Sequence, residues 1–385
     1  MTKHPAFAPS ILTQLGLSAV VALMICGNAD AMPPFAIAYG AKCTLCHLQV
    51  PALNAFGRYV QRTGYAALDP KKLHQTLPVW VGFNPSYDSQ GATGAHRLQL
   101  GNVAVHGVGA LSDDWTYHVQ QWIRQNNQPG GLDTAWISYN GLFKHYGHLF
   151  LGKLEPPAPS PFSQWFDLGP FGSPQITVGQ HTYQLDANRW GARLAYVHNS
   201  LDVEASWLGS NGDLSGAGAF SANVDKTFQW KIAYANENRP LEVGLYGSRG
   251  SLHLSGGATD QYHSLAGYAE LDPTGGAPGV FAVYQKAFDS NPGGGAGATV
   301  SSALSVELYQ TLFRDNAIVG VRKEILNDGL GNRLQTGNID FEYHVARFVN
   351  VYLEAYFAQH QKPGYRYMLW WTIPLAKDKP GGPVR

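Results

Sequence analysis

The sequence predicts an all-β protein, a transmembrane antiparallel β-barrel of about sixteen strands preceded by a small α-helical segment. Three observations support this fold class. Apolar and polar residues alternate through much of the chain, which is the period of β-strands with unlike faces. Turn residues separate the alternating stretches, and the 385 residues include 44 glycines and 23 prolines. Only 14% of the residues are charged and 12% are aromatic, a balance that argues against disorder and against an ordinary cytosolic enzyme.

Charge and hydropathy exclude two classes of protein. Lysine and arginine (27) balance aspartate and glutamate (27), so no basic field is available to attract nucleic acid, and we expect no nucleic-acid partner. The mean hydropathy of −0.18 and the lack of a second long apolar run exclude a polytopic helical membrane protein, because each spanning helix needs about 20 apolar residues. A membrane protein of this composition is therefore expected to cross the bilayer with strands.

The first segment, residues 1–31, is predicted to be a secretory signal peptide. An apolar run over 11–26 is followed by the small-residue sequence Ala29-Asp30-Ala31, which is typical of a cleavage site. A short N-terminal membrane anchor is the alternative. Cleavage leaves two cysteines, Cys43 and Cys46, which are too few for a disulfide scaffold in an exported protein.

The two cysteines belong to the sequence Cys43-Thr44-Leu45-Cys46-His47, the C-x-x-C-H pattern of covalent c-type haem attachment. Cys43 and Cys46 would form the two thioethers to one haem c, and His47 would be the proximal iron ligand. Chance produces this pattern roughly once in a thousand sequences of this composition. A structural zinc site would need further ligands to close around the metal. A redox-active dithiol remains as the second alternative.

The sequence offers several candidates for the distal haem ligand. His74 follows a predicted helix and a turn and is far enough downstream to fold back over the ring, so it is our candidate for the distal iron ligand. A solvent-exposed linker histidine is the alternative for this residue. The thioether donors of the mature chain are Met32 and Met368, and a five-coordinate iron is also compatible with the sequence.

A change of pattern marks the boundary between two parts of the mature chain. Residues 32–76 form the predicted monohaem cytochrome segment, which is too short to bury a porphyrin alone. Residues 77–376 alternate and contain roughly sixteen strand-like segments, which fits the roughly 9 to 11 residues that a spanning strand needs. Residues 377–385 are predicted to be a C-terminal periplasmic tail.

The alternation is clearest in six stretches, 115–124, 201–207, 228–234, 339–345, 349–357 and 365–373. Short turns such as Asn199-Ser200 and a long glycine-rich connection over 289–299 separate strand-like segments, as in barrels that cross a bilayer. An even strand number places both ends of the barrel wall on the periplasmic side. A soluble β-sandwich or propeller is the alternative. The sequence lacks the fixed-period repeat of a propeller, and tryptophans near strand ends favour a membrane barrel. Those tryptophans are Trp115, Trp136, Trp190, Trp370 and Trp371.

The N-terminal segment resembles a known family, the outer-membrane cytochrome-porin fusions, whose monohaem members include iron-oxidising cytochromes. The resemblance covers about 30 residues: 35–47, with the C-x-x-C-H pattern, then Val50-Pro51-Ala52-Leu53-Asn54-Ala55-Phe56-Gly57-Arg58-Tyr59, and then Thr63-Gly64-Tyr65. It implies a haem segment held in the lumen of an outer-membrane barrel of a Gram-negative cell, facing the periplasm. The chain departs from the usual pattern of such barrels, because it continues past its last aromatic strand instead of ending on an aromatic residue.

The resemblance and the predicted architecture together imply an electron conduit. One electron would pass from an extracellular donor, expected to be Fe(II), through the haem to a periplasmic cytochrome, without bond-making chemistry. A haem-plugged porin for solute passage is one alternative, and outward electron delivery to an extracellular acceptor is another. Charged side chains expected to face the lumen, where they would tune the haem or line a wet channel, are Arg124, Arg193, Glu204, Glu242 and Glu342.

Overall fold

The computed structural model describes most of the chain between residues 33 and 375. The described ranges are 33–39, 41–49, 52–73, 78–90, 97–99, 102–125, 128–155, 175–184, 188–209, 226–236, 238 and 240–375, the last without 275, 294, 296, 314–315 and 347. The predicted signal peptide, the distal-ligand candidate His74 and the predicted C-terminal tail all lie outside the described residues.

The N-terminal segment (residues 33–73) contains short helices and one small hairpin. Its elements in chain order are α1 (Pro33–Tyr39), a 3₁₀ turn (Cys43–Leu45), β1 (His47–Gln49), β2 (Ala52–Leu53), α2 (Ala55–Arg62) and α3 (Pro70–Leu73). Strands β1 and β2 pair antiparallel. No helix among the described residues is both long and apolar enough to span a membrane.

Strands make up most of the described residues after residue 73. They are β3 (Val79–Phe83), β4 (Ser86–Asp88), β5 (Arg97–Gln99), β6 (Val103–Ala110), β7 (Trp115–Gln125), β8 (Gln128–Pro129), β9 (Leu132–Leu142), β10 (Gly147–Leu154), β11 (Gln175–Val178), β12 (His181–Gln184), β13 (Arg189–His198), β14 (Leu201–Gly209), β15 (Lys226–Ala235), β16 (Leu241–His253), β17 (Thr259–Leu271), β18 (Gly279–Asp289), β19 (Thr299–Leu312), β20 (Ala317–Asn327), β21 (Arg333–Ala346), β22 (Val349–Ala358) and β23 (Gly364–Pro374).

These strands form a closed antiparallel barrel, because the last strand β23 pairs with the first wall strand β3. Three pairs of strands each continue one another along the wall. Strands β3 and β4 both pair with β23, and β8 and β9 both pair with β7. Strands β5 and β6 pair with β4 and β3, the two parts of one neighbouring wall strand. The wall therefore has sixteen strands, as the sequence predicted. Strands β11 and β12 form a separate hairpin within the long connection between β10 and β13.

The two faces of the wall differ in polarity in the way that the alternation predicted. On β14, Trp207 is 58% exposed on the outside, whereas Asp202 and Glu204 are buried on the inside. On β17, Leu265 is 53% exposed and Ser264 is buried. An apolar outer face and a polar inner face are what a barrel in lipid requires.

The three longest stretches between consecutive wall strands all start and finish at one end of the barrel. Strand pairs β13–β14, β19–β20 and β21–β22 are separated by only two to four residues at the opposite end, where β3 begins and β23 ends with Pro374 opposite Trp80. Strands β10, β14 and β18 finish at the first end, called the long-loop end below, and the wall resumes there with β13, β15 and β19 after 34, 16 and 9 residues. Both ends of the wall therefore lie at the short-turn end, as an even strand number requires.

Two expectations about single side chains are corrected by the structure. Trp115 and Trp371 are exposed on the outer face, but Trp136 is buried and points inward, so it is no part of an interfacial girdle. Arg124 was expected to face the lumen and is exposed. A bulge in β7 pairs Ala104 with Trp122 and Val103 with Arg124, and this extra residue turns Arg124 to the outer face.

Candidate functional site

The C-x-x-C-H sequence forms a tight turn whose donor residues are buried. The Cys43–Leu45 segment is a 3₁₀ turn in which the Cys46 amide donates to the Cys43 carbonyl at 3.1 Å. Cys43, Cys46 and His47 are all buried, while Thr44 and Leu45 are exposed. No disulfide joins Cys43 and Cys46. Burial raises the pKa of the Cys46 thiol to about 11. The three predicted haem residues are therefore all buried within one short turn and the residue that follows it.

Asn54 ties this turn to helix α2. Its side-chain amide donates to the Thr44 and Leu45 carbonyls at 3.1 and 3.2 Å, and its oxygen accepts from the Gly57 amide at 2.9 Å as the helix N-cap. Its own backbone amide donates to the Cys46 carbonyl at 3.0 Å. The Asn54 side chain thus forms hydrogen bonds with backbone groups of both the C-x-x-C-H turn and the first turn of α2. Asparagine is a favoured N-cap residue because its side-chain oxygen accepts from an amide of the first helical turn.

Gly57 permits close packing between α2 and the turn. A Cβ at this position would lie 1.9 Å from the Cys46 carbonyl oxygen, so a larger residue cannot keep the arrangement. The structure shows that the close neighbour is the backbone of the C-x-x-C-H turn itself.

Arg58 joins α2 to the inner wall through buried ion pairs. Its Nη1 lies 2.9 Å from both Glu270 Oε1 and Asp272 Oδ1, and its Nε lies 3.3 Å from Glu242 Oε2. Nη1 also donates to the Leu53 carbonyl at 2.9 Å. Burial alone would lower the pKa of Arg58, but the carboxylates of Glu270, Asp272 and Glu242 raise it above its ordinary value. The guanidinium therefore stays charged.

Arg62, one helical turn later, extends the same contact. Its Nη1 donates to Glu242 Oε2 at 3.1 Å, and its Nε lies 4.0 Å from Asp202 Oδ2. On the wall, Lys231 Nζ lies 2.7 Å from Asp202 and 2.9 Å from Glu204. Arg58 and Arg62 were not predicted from the sequence to be functional residues. Their i, i+4 spacing could have indicated that both side chains contact the same surface, because it places them on one helix face.

The Thr63-Gly64-Tyr65 stretch contacts a second part of the inner wall. Gly64 has φ +57°, and a Cβ there would lie 2.7 Å from the Ser138 hydroxyl oxygen. The Tyr65 ring stacks on Trp136 with centroids 5.3 Å apart, and its hydroxyl lies 3.1 Å from His118 Nδ1. Residues of the N-terminal segment and inward side chains of β3, β6, β9, β10, β13 and β14 form one apolar cluster.

The sequence offers three candidate distal iron ligands, His74, Met32 and Met368. His74 and Met32 lie outside the described residues. Met368 is buried on β23 beside Tyr352. Four of the five charged residues expected to face the lumen do so and are buried, namely Arg193, Glu204, Glu242 and Glu342.

The chain resembles bacterial porins in fold. No family model matches the sequence, and no curated protein matches it. Among solved structures, an anion-selective porin from Comamonas acidovorans superposes with a TM-score of 0.57 at 11% identity, over 77% of this chain and 98% of that one. OprB of Pseudomonas putida gives 0.56 at 10% identity, over 79% and 96%, and the trimer form of OmpT of Vibrio cholerae gives 0.54 at 12%, over 76% and 98%. The chain therefore has a porin-like β-barrel fold.

Proposed function

We propose that this protein is an outer-membrane electron conduit with one covalent haem c on its N-terminal segment. The observation that supports the proposal is the burial of Cys43, Cys46 and His47 in one short turn, within a segment bound to the inner wall of a closed barrel. Two thiols and an adjacent imidazole are the donor set that a c-type haem takes. Cys43, Cys46 and His47 therefore have the chemistry that a covalent haem c requires.

The chain's own residues would hold and orient this donor set. Asn54 fixes the backbone of the turn, Gly57 lets α2 pack against it, and Arg58 anchors α2 to carboxylates of the wall. When bound, the haem supplies a reversible one-electron change at its iron. No nucleophile or proton-transfer pair is required of the protein. The donor proposed is extracellular Fe(II), and the acceptor proposed is a periplasmic cytochrome.

The test uses the full chain matured with haem and reconstituted in liposomes that enclose an oxidised soluble cytochrome c. Fe(II) is added outside, and reduction of the enclosed cytochrome is followed by its absorption. We expect reduction with the wild type and with Thr44→Ala, which alters an exposed residue of the same turn. We expect no covalent haem and no reduction with a Cys43→Ala, Cys46→Ala double variant. Covalent haem in that variant, or equal reduction with it, would contradict the proposal.

A haem-plugged porin is the second candidate, favoured by the porin-like fold. Conductance in a planar bilayer separates the two functions. If the protein is an electron conduit, its conductance should be small, because the N-terminal segment is bound to the inner wall of the barrel. If it is a solute porin, it should give steady open-channel currents. Outward electron delivery is distinguished by enclosing a reduced carrier and adding a ferric acceptor outside.

A further inference from the structure

The hairpin β11–β12 folds onto the inner face of the barrel at the long-loop end. Gly179 at its tip has φ +60°, and the next amide, of Gln180, donates to the Pro292 carbonyl at 2.8 Å. The Gln180 side-chain oxygen accepts from the Ser255 amide at 2.9 Å and from its hydroxyl at 2.7 Å. The hairpin is therefore joined to the two neighbouring connections, and it places His181 against the wall.

His181 lies between two carboxylates of the wall, Asp260 on β17 and Asp289 on β18. Its Nδ1 is 2.6 Å from Asp289 Oδ1 and 3.7 Å from Asp260 Oδ2. All three side chains have an exposed fraction of 0%, and one ligand atom from each lies within 4.8 Å of the others. The imidazole packs between the rings of Tyr183 and Tyr262, with centroids 4.0 and 4.2 Å away. These three residues are called the His-Asp-Asp cluster below.

Each carboxylate of the cluster is anchored by one oxygen only. Asp260 Oδ1 accepts from the Asn291 amide at 2.8 Å and from the Ser290 hydroxyl at 3.2 Å, and Asp289 Oδ1 accepts from the Tyr183 hydroxyl at 2.9 Å. The second oxygen of each, Oδ2, is buried and receives no hydrogen bond from any other described residue, and the two carboxyl groups lie close enough to interact with each other. Buried carboxylate oxygens without a partner are costly, and they are normally paired with a cation or bound to a metal.

We propose that the His-Asp-Asp cluster binds one divalent transition-metal ion. One neutral imidazole and two carboxylates carry two negative charges, which a divalent ion neutralises. Metal–ligand bonds of about 2.0–2.2 Å put neighbouring donor atoms of a tetrahedral site about 3.3–3.6 Å apart. His181 Nδ1 lies 3.7 Å from Asp260 Oδ2, and one donor atom from each of the three side chains lies within 4.8 Å of the others, so the donor atoms are close to the spacing that an ion requires. A mixed nitrogen and oxygen donor set suits Zn²⁺, Mn²⁺, Co²⁺ or Fe²⁺ better than it suits Ca²⁺ or Mg²⁺.

The hydrogen bonds around the cluster have the form of an outer shell that orients metal ligands. Tyr183, Ser290 and the Asn291 amide each hold a carboxylate by the oxygen opposite the one that receives no hydrogen bond from another described residue. The cluster lies near the start of β17, whereas Glu270, which binds Arg58, lies near the end of the same strand. The metal site is therefore at the opposite end of the barrel from the Cys43–His47 turn, and it does not depend on the proposed function.

The test measures Zn²⁺ and Mn²⁺ bound to the full chain in detergent. Chelator-washed protein is dialysed against a series of concentrations of each ion, and the number of metal ions bound per chain is determined by elemental mass spectrometry. We expect one ion per chain for the wild type, and at least a tenfold loss of affinity for His181→Ala and for the double variant Asp260→Asn, Asp289→Asn. The matched control is Asp328→Asn, because Asp328 lies at the same end with both oxygens hydrogen-bonded within its own loop.

A second measurement keeps the test valid where a variant folds poorly. Asparagine keeps the size of aspartate, so the double variant should retain the heat-dependent gel migration of a folded barrel. Added Zn²⁺ should raise the thermal midpoint of the wild type and of Asp328→Asn but not that of the folded double variant, since only an ion that binds the native state stabilises it. Equal metal content in the wild type and the double variant would overturn the proposal, as would an equal loss in Asp328→Asn.

Discussion

Replacing Arg58 by methionine should release the N-terminal segment from the barrel wall. The substitution keeps much of the side-chain volume and removes the charge that three buried carboxylates share, those of Glu242, Glu270 and Asp272. Removing one partner of a buried ion pair costs about 3–5 kcal/mol, because the other charges stay buried without compensation. At about 1.4 kcal/mol per factor of ten, this is about a hundred- to a few-thousand-fold shift toward the undocked segment.

The cost should fall on the segment and not on the barrel, because the wall strands are joined by continuous backbone ladders that Arg58 does not enter. We expect faster proteolysis within residues 33–73, a larger planar-bilayer conductance and unchanged heat-dependent gel migration. The matched control is Lys71→Gln, which removes one positive charge from an exposed position of the same segment. Unchanged proteolysis and conductance in Arg58→Met would refute the reasoning, as would equal changes in Lys71→Gln.

Two further substitutions test other parts of the structure. Gly57→Ala should reduce covalent haem per chain, because its Cβ would lie 1.9 Å from the Cys46 carbonyl oxygen. The control Gly131→Ala should acquire haem normally, because its Cβ would meet nothing within 4 Å. The ratio of haem to protein is measured from the pyridine haemochrome spectrum. Leu265→Arg on the outer face at mid-strand should destabilise the barrel in lipid by about 2–4 kcal/mol, against about 0–1 kcal/mol for Leu201→Arg next to a turn, as measured by reversible urea unfolding from vesicles. Equal stability of the two arginine variants would mean that the outer face is wrongly assigned.

The barrel could be predicted from the sequence because its signals are local. Side chains of a strand alternate between two faces, so polar Asp202 and Glu204 between apolar neighbours on β14 define the inner face without knowledge of any partner strand. The strand count follows from the spacing of turns. Where the local rule is broken, the prediction fails. The bulge in β7 sends Arg124 outward, and only the pairing with β6 reveals that extra residue.

The contacts of the candidate site could not be predicted, because they join distant parts of the chain. Arg58 and its partner Glu270 are 212 residues apart, and they meet only when the wall has closed around the N-terminal segment. The His-Asp-Asp cluster likewise needs a hairpin and two wall strands. The C-x-x-C-H donors are contiguous, so the haem hypothesis can be stated from five residues without knowledge of the fold.

The charges of the inner wall explain why the N-terminal segment belongs with this barrel. Around α2, five buried carboxyl groups of the wall and of its turn face two wall cations, which is a formal excess of three negative charges when all are ionised: Asp202, Glu204, Glu242, Glu270 and Asp272 against Arg193 and Lys231. Arg58 and Arg62 reduce that excess to one. A wall with such an excess would be self-repelling without the segment, because buried charges require partners. The two arginines are therefore a structural part of the lumen, and a lumen that requires this segment in place favours a conduit with a fixed interior over a freely open pore.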